Sequence, residues 1–393
     1  MTSDLYSNDR INFVTLFPAA EGLHLSKDVG QIPYILAKDF GMNSLLATEL
    51  ADSFDESLHL TPGLKIMPLK RIKSLLGIRM SAILYLLKNS KRIQVLNLYH
   101  LSLETKLLSL LYRIRNPKGF LYIKLDVNVA DETAALARPA RRNLFRRILG
   151  QLFHSAFYRA VSAVSAESKE AVDVITRRYP LLKGKVLHIT NGLESDALPH
   201  DVDAAMALKE NLIITVGRIG SFQKNNELLL DALKQVQLQG WKVAIIGPYT
   251  DEFAKIFASL LEERPDLRNV VKLIGNVENR EELMRWYARA RVLVMTSRWE
   301  GFPLVFPEAQ CYGNFILSTD VSSVREVTGF GAIGEVVPRE DPQALAQVLR
   351  KLVTASITTS ELHRHIASDA RERYDWRHVM VPLKVAIDCH YNA

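Results

Sequence analysis

Cysteine is almost absent from this chain, with two residues in 393, Cys311 and Cys389. Two thiols cannot build a disulfide framework, and no CxxC or paired-histidine spacing suggests zinc. No apolar run reaches the ~20 residues that a membrane-spanning helix needs. The longest candidate, 74–87, is short and carries Arg79. The first ten residues lack the basic-then-apolar order of a secretion signal. Low-complexity tracts and short internal repeats are missing too. Asp-x-Asp occurs once, at Asp201 and Asp203, in a polar stretch away from any expected strand end, so no metal site is expected. Together these absences point away from a disulfide-stapled scaffold and an integral membrane protein. A location in a reducing cytoplasm is expected.

What is present is enough apolar residue, 48% of the chain, to fill the two or three domains that the length suggests. Positive charge is concentrated. Residues 1–200 hold 27 Lys and Arg against 18 Asp and Glu, a net of +9, and the remaining residues hold 23 against 25, a net of −2. Within 65–147 there are 18 basic and 4 acidic side chains, a net of +14. Such a block suits a surface that meets phosphates. No helix-turn-helix, zinc-finger or RNA-binding pattern accompanies it, so nucleic acid is not the expected partner.

Strand and helix patterns alternate along the chain. Strands are expected at 11–17, 43–50, 64–69, 94–100, 120–126, 159–164 and 185–190, and helices at 31–40, 74–88, 104–115, 138–157 and 167–178. The residues between 18 and 30 read as a loop. Repeated strand–helix units imply a parallel sheet covered on both faces. Residues 191–210 are polar, carry Pro199, and read as a linker. The pattern resumes at Asn211. The expected architecture is α/β, with two Rossmann-like domains facing each other across a cleft. The first spans 1–200 and the second 201–393, with its last helix packing back on the first.

The most informative stretch is Glu300-Gly-Phe-Pro-Leu-Val-Phe-Pro-Glu308. It follows the apolar run 292–295, a buried strand, and leads into 309–312, a helix ended by Gly313. Strand, loop and helix start would gather free backbone N–H groups at one point, a geometry suited to a phosphate or sugar-nucleotide. A helix start whose dipole favours acidic residues explains the same spacing. The segment resembles the retaining glycosyltransferases of family 4, which have the GT-B fold and a Glu-(seven residues)-Glu motif. Glu300, Gly301, Phe302, Pro303, Leu304, Val305, Glu308 and Ala309 match that motif. Gly217-Arg218 after an expected strand, and Lys224-Asn225 six residues on, resemble the family's Gly-Arg and Lys. The stretches 241–247, 271–276 and 341–345 resemble later elements. The resemblance covers about 211–350.

The resemblance implies sugar transfer from a nucleoside-diphosphate sugar, UDP- or GDP-linked, with no cofactor and with retained anomeric configuration. The second domain would bind the nucleotide-sugar and the first the acceptor, a glycan or lipid-linked molecule of bacterial surface polysaccharide synthesis. Arg218 and Lys224 would neutralise the leaving diphosphate without a metal, Glu308 would hold the ribose hydroxyls, and Glu300 would contact the sugar at the reacting centre. Backbone groups of 301–305 would bind sugar hydroxyls or phosphate. Arg218 and Lys224 are also ordinary surface residue types; their position after a strand is what singles them out. A nucleotide-sugar epimerase of the same fold, or a non-catalytic nucleotide-sugar-binding partner of a synthesis complex, would share the donor site.

In the first half, 23–30 joins the first strand to the first helix, where an open α/β sheet meets its ligand. His24, Lys27, Asp28 and Gly30 are candidates there for the acceptor or the diphosphate. A capped helix start with a solvated Lys–Asp pair would look the same. His100 and Asp126 each end an expected strand on that side, as ligand contacts or as satisfied buried polar groups. In 138–157, Leu144, Phe145, Ile148, Leu149, Leu152 and Phe153 share one helical face. Arg146 and Arg147 lie off it, and Arg141 and Arg142 crowd its start. An ordinary core helix with a basic outer surface fits this pattern. So does a helix resting on anionic lipid, which would make the protein peripheral on the inner face of the cell membrane.

Overall fold

The computed structural model describes residues 5–7, 9–50, 61–74, 77–127, 129, 144–194, 198, 206–355 and 359–392; of 23 and 144–149 it describes the backbone only. The chain forms two compact units. One comprises Met1–Asn191 with Trp376–Ala393, the other Gly192–Asp375. Chain length and the polar stretch alone place the boundary near 200; the units instead change at 191, and the chain returns to the first at Trp376.

The first unit holds a parallel seven-stranded sheet. Its strands are β1 (Asn12–Leu16), β2 (Asn43–Thr48), β3 (Lys65–Pro68), β4 (Val95–Tyr99), β5 (Phe120–Lys124), β6 (Ala163–Ala166) and β7 (Val186–His188), in the order β3-β2-β1-β4-β5-β6-β7. Along β1 the side chains alternate between the faces of the sheet. Phe13 enters a core with Ile32, Ile35 and Tyr122, while Val14 and Leu16 enter another with Leu86, Leu108 and Phe157. Both faces are apolar because helices cover both, which is why these strands read as continuous apolar runs. The helices are α1 (Gly22–Leu25), α2 (Asp28–Lys38), α3 (Met80–Asn89), α4 (Leu103–Arg115), α5 (Leu144–Ala160) and α6 (Lys169–Arg178). The 18–30 stretch read as a loop thus contains a helical turn and the start of the next helix. Gly30 is why the two fit. A Cβ there would lie 2.5 Å from the Leu25 Cα. A helix closing the chain, Val381–Asn392, lays Leu383 and Ile387 into the core with Phe13, and the Tyr391 hydroxyl donates to the Gln94 carbonyl at 2.5 Å.

The second unit holds a parallel six-stranded sheet of β8 (Leu212–Val216), β9 (Lys242–Ile246), β10 (Val271–Gly275), β11 (Val292–Met295), β12 (Phe315–Thr319) and β13 (Gly334–Val337), in the order β10-β9-β8-β11-β12-β13. Its helices include α7 (Glu227–Leu233), α8 (Asp251–Glu263), α9 (Arg280–Arg289) and α10 (Val305–Cys311). In each sheet the strand order reverses once, between β1 and β4 and between β8 and β11. Crossovers leave in opposite directions at such a point, which opens a crevice at the carboxyl ends of those strands. Among the described residues no helix is long and apolar enough to cross a membrane.

Candidate active site

The reversal point of the second unit gathers the residues that the sequence singled out there. Gly217 and Arg218 leave the end of β8, and Thr296 to Glu300 leave the end of β11. Gly247, just after β9, has φ +132°, and a Cβ on it would lie 1.8 Å from the Gly217 carbonyl oxygen, so only glycine lets the ends of β8 and β9 close together. The chain then turns back through Asn225, held in the left-handed region at φ +47°. The Thr296 hydroxyl fixes the turn by donating to the Lys224 carbonyl at 2.9 Å.

That turn lays the Lys224 stem along Gly217, with Cε 3.4 Å from where a Cβ would stand. Lys224 Nζ reaches Glu300 Oε1 at 2.7 Å; the two side chains are only 15% and 10% exposed. Gln223 joins the network. Its Nε2 donates to the Trp299 carbonyl at 3.0 Å and stands 3.4 Å from Glu300 Oε2, and its Oε1 accepts from Arg218 Nη2 at 2.8 Å. Arg218, Gln223, Lys224 and Glu300 are therefore one connected polar group.

Beyond Glu300, Phe302 and Pro303 are buried, and Phe302 packs at 6.0 Å against Tyr374. Gly301, Leu304 and Val305 are half-buried. The Phe306 N–H bonds the Pro303 carbonyl at 3.1 Å, so this amide is already used. Helix α10 begins at Val305, four residues before the expected start, and Glu308 lies inside it. Pro307 sits in its first turn, where a missing N–H removes no helical bond. The Tyr287 hydroxyl donates to Glu308 Oε2 at 2.9 Å, and Arg280 Nη2 stands 3.3 Å from Oε1. Burial raises the pKa of Glu308 from its ordinary value, opposed by Arg280 and Tyr287. The two carboxylates thus have different surroundings, one ion-paired to a lysine and one held by a phenol and a guanidinium. Gln223, Arg280 and Tyr287 were not legible in the sequence. Only their positions beside an expected strand end, or at a helix repeat before Glu308, hinted at them.

At the reversal point of the first unit the outcome is different. Asp28 opens α2 and its Oδ2 lies 3.8 Å from Lys124 Nζ, while Glu167 Oε1 lies 2.6 Å from the same nitrogen. Lys124 is fully buried. Burial alone would lower its pKa, but Glu167, Asp28 and Tyr122 more than offset it and raise it. Burial pushes Glu167 up to about 7, Lys124 pulls it down, and Asp126 and Asp28 push it further up. Sequence reading missed Lys124 and Glu167, which look like ordinary strand and loop residues. His24 does not join this cluster in any described bond; its Nδ1 accepts the Glu21 N–H at 3.0 Å. Lys27 caps the start of α2 by position, and Gly30 is buried inside that helix. His100 is exposed in the left-handed region at φ +57°, one residue beyond β4, and Asp126 is exposed two residues beyond β5. Neither is a buried strand residue.

Of the expected lipid-facing arginines, Arg141 and Arg142 lie outside the described residues, as do Asp201 and Asp203. Arg146 and Arg147 lie on α5, described there by backbone alone. The apolar face expected for this helix is corrected at Leu152, which is 63% exposed; Phe157 and Tyr158 supply the buried contacts. Among the described residues no three His, Cys, Asp or Glu side chains gather to hold a metal ion.

Against known proteins, residues 201–373 match the family described as "Glycosyl transferases group 1". A D-inositol 3-phosphate glycosyltransferase of Streptomyces avermitilis is 29% identical over 259 residues, 62% of this chain and 55% of that protein. The amylovoran biosynthesis glycosyltransferase AmsD of Erwinia amylovora is 35% identical over 113 residues, 28% of this chain and 29% of that one. The chain therefore spans about half the length, or less, of these curated relatives. The crystal structure of Anabaena Alr3699/HepE in complex with UDP superposes with a TM-score of 0.66 at 16% identity, covering 96% of this chain and 99% of that one. The fold is the GT-B fold, two Rossmann-like α/β units.

Proposed function

We propose that this chain is a glycosyltransferase that moves a sugar from a nucleoside-diphosphate sugar to a hydroxyl of a glycan or lipid-linked acceptor. It acts with retention and without a metal or other cofactor. The observation that carries the reading is the Lys224–Glu300 pair, tied to Arg218 through Gln223, at the carboxyl ends of β8 and β11 where the sheet order reverses. A transferred sugar leaves a diphosphate behind, and fixed cations stabilise that charge where it develops. Arg218 offers a planar fork and Lys224 a point charge. Glu308, set by Tyr287 and Arg280, takes the ribose hydroxyls. Glu300, ion-paired to Lys224, takes the sugar. Backbone groups of 301–305 complete the sugar's contacts.

In the transfer itself the acceptor oxygen bonds the anomeric carbon on the face that the phosphate leaves. The carbon–phosphate-oxygen bond breaks, and the acceptor's proton passes to the departing phosphate oxygen. No side chain need become a nucleophile. The relatives named for inositol phosphate and for amylovoran biosynthesis support a polyol or glycan acceptor in surface polysaccharide synthesis, and the likeness to a structure with UDP supports a uridine nucleotide alongside guanosine as the donor to try. On the acceptor side the contacts come from His24, Lys27 and Asp28, which follow β1 in the chain, and from His100 and Asp126, which follow β4 and β5.

The same proposal places the protein peripherally on the cytoplasmic face of the cell membrane. Net charge of +14 over 65–147 supports this, as do exposed apolar residues on the neighbouring helices α3, α4 and α5, namely Leu84, Ile114 and Leu152. Basic residues attract anionic headgroups while apolar ones enter the interface.

Nucleotide release measured over a panel of UDP- and GDP-sugars, with and without glycan acceptors, tests the activity. Turnover that survives excess chelator and keeps the donor's anomeric configuration is expected. Loss with chelator and recovery with manganese would overturn the metal-free reading, and an inverted product would overturn retention.

A further inference from the structure

Two aromatic side chains stand exposed at the Glu300 end of this network. Phe222 is 71% exposed and Trp299 37%. They come from segments 77 residues apart, yet their rings lie 5.8 Å from centre to centre at 54°. Single exposed apolar residues are ordinary and need no account. A braced pair is different. The Arg298 guanidinium lies 4.2 Å over the Phe222 ring, its Nη1 donates to the Phe222 carbonyl at 2.5 Å, and its backbone N–H bonds the Gln223 carbonyl at 2.8 Å. Arg298 is itself held by Glu340, Nε to Oε1 at 2.8 Å, and Arg339 Nη1 donates to the Arg298 carbonyl at 3.1 Å. Gln223 ties in the Trp299 carbonyl from the other side. An exposed apolar surface held this firmly loses little freedom when something settles on it.

We propose that Phe222 and Trp299 form a stacking platform for a neutral sugar ring of the acceptor glycan. The inference rests on the donor reading above, which sets its direction. If the ribose sits at Glu308 and the transferred sugar at Glu300, the nucleobase lies beyond Glu308, on the side of the half-exposed Arg280. The aromatic pair then lies past the sugar, where the acceptor arrives. Phe222 is two residues from Lys224, and Trp299 adjoins Glu300. A pyranose offers an apolar C–H face rimmed by hydroxyls. The two rings offer the flat apolar partner, and the Gln223 side chain, bonded to the Trp299 carbonyl, stands beside them as a hydrogen-bonding group for the rim. The cation stacked on the platform, Arg298, is already met by Glu340 and does not ask for an anionic ring.

Saturation-transfer NMR of the full chain tests this, irradiating aromatic protons in the presence of saturating UDP and observing methyl glycosides of glucose, galactose, mannose and N-acetylglucosamine. At least one glycoside should receive saturation through its ring C–H groups. The Phe222→Ala/Trp299→Ala variant should weaken that binding at least tenfold and leave UDP affinity within twofold. Trp299→Phe, which keeps a ring, should retain most of the signal and guards against a folding defect. Undiminished transfer in the double alanine variant overturns the platform. So does a parallel fall in UDP affinity, which would assign the pair to the nucleotide, and so does absence of transfer to any glycoside in the wild type. If neither UDP nor GDP binds the wild type, the donor reading fails by itself. Glycoside saturation that still vanishes with the two rings would nevertheless uphold the platform.

Discussion

Removing both charges of the Lys224–Glu300 pair should cost less stability than the two single removals added together. The 2.7 Å contact is worth ~6 kcal/mol of gross attraction at an effective dielectric of about 20, most of it offset by the desolvation of both ions. What survives is an asymmetry. Taking one partner from a buried pair costs about 3–5 kcal/mol, because the other charge stays buried without a counterion. Both side chains keep a little solvent contact, which places this pair at the lower end, about 2–3 kcal/mol. Lys224→Met keeps the stem along Gly217 and removes only the charge; Glu300→Gln keeps the shape of the carboxylate. Each single variant should lose about 2–3 kcal/mol in urea unfolding, and the double variant should lose less than their sum by ~1–3 kcal/mol. Turnover should fall on the order of 10²–10³-fold in either single variant, the scale of losing one placed charge-stabiliser, and should not recover in the double. Unfolding costs that add within ~0.5 kcal/mol would refute the coupling. Near-normal turnover in both singles would refute the assignment of this pair to the chemistry.

Tyr287→Phe deletes the phenol that donates to Glu308 and leaves Arg280 as the carboxylate's described partner. Donor KM should rise about 5–50-fold with kcat little changed, and an unchanged KM would remove Glu308 from donor binding. The first unit should lose stability as pH rises from about 4.5 to 7, because folded Glu167 keeps its proton up to about 7 whereas the unfolded residue releases it near its ordinary value of 4.5. Lys124 stays charged throughout that window, so the loss approaches ~3 kcal/mol at most, flattens above pH 7, and should vanish in Glu167→Gln; the same slope in that variant would refute it. Changing Arg141, Arg142, Arg146 and Arg147 together to Glu should release the protein from anionic vesicles in co-sedimentation and leave transfer to a soluble acceptor intact. Wild type that fails to pellet at low salt would end the membrane reading.

Local pattern fixed a good part of the molecule. Apolar runs such as Leu212–Val216 and Val292–Met295 are strands buried on both faces, and the alternation of strand and helix is enough to imply two parallel sheets. Gly217 and the spacing of Glu300 and Glu308 were legible because they follow strand ends. Boundaries were less so. A helix is expected from 31, but α2 begins at Asp28 and carries Pro33 in its interior. Partners were not legible at all. Lys224 meets Glu300 across 76 residues, Lys124 meets Glu167 across 43, and Tyr287 reaches Glu308 across 21. Each pairing depends on which strand or helix lies next to which, and on a turn such as the left-handed Asn225 that aims a side chain across the gap. Periodicity reports the face a residue takes in its own element. The charge that stands opposite it comes from another part of the chain, and only the order of strands in the folded sheet decides that.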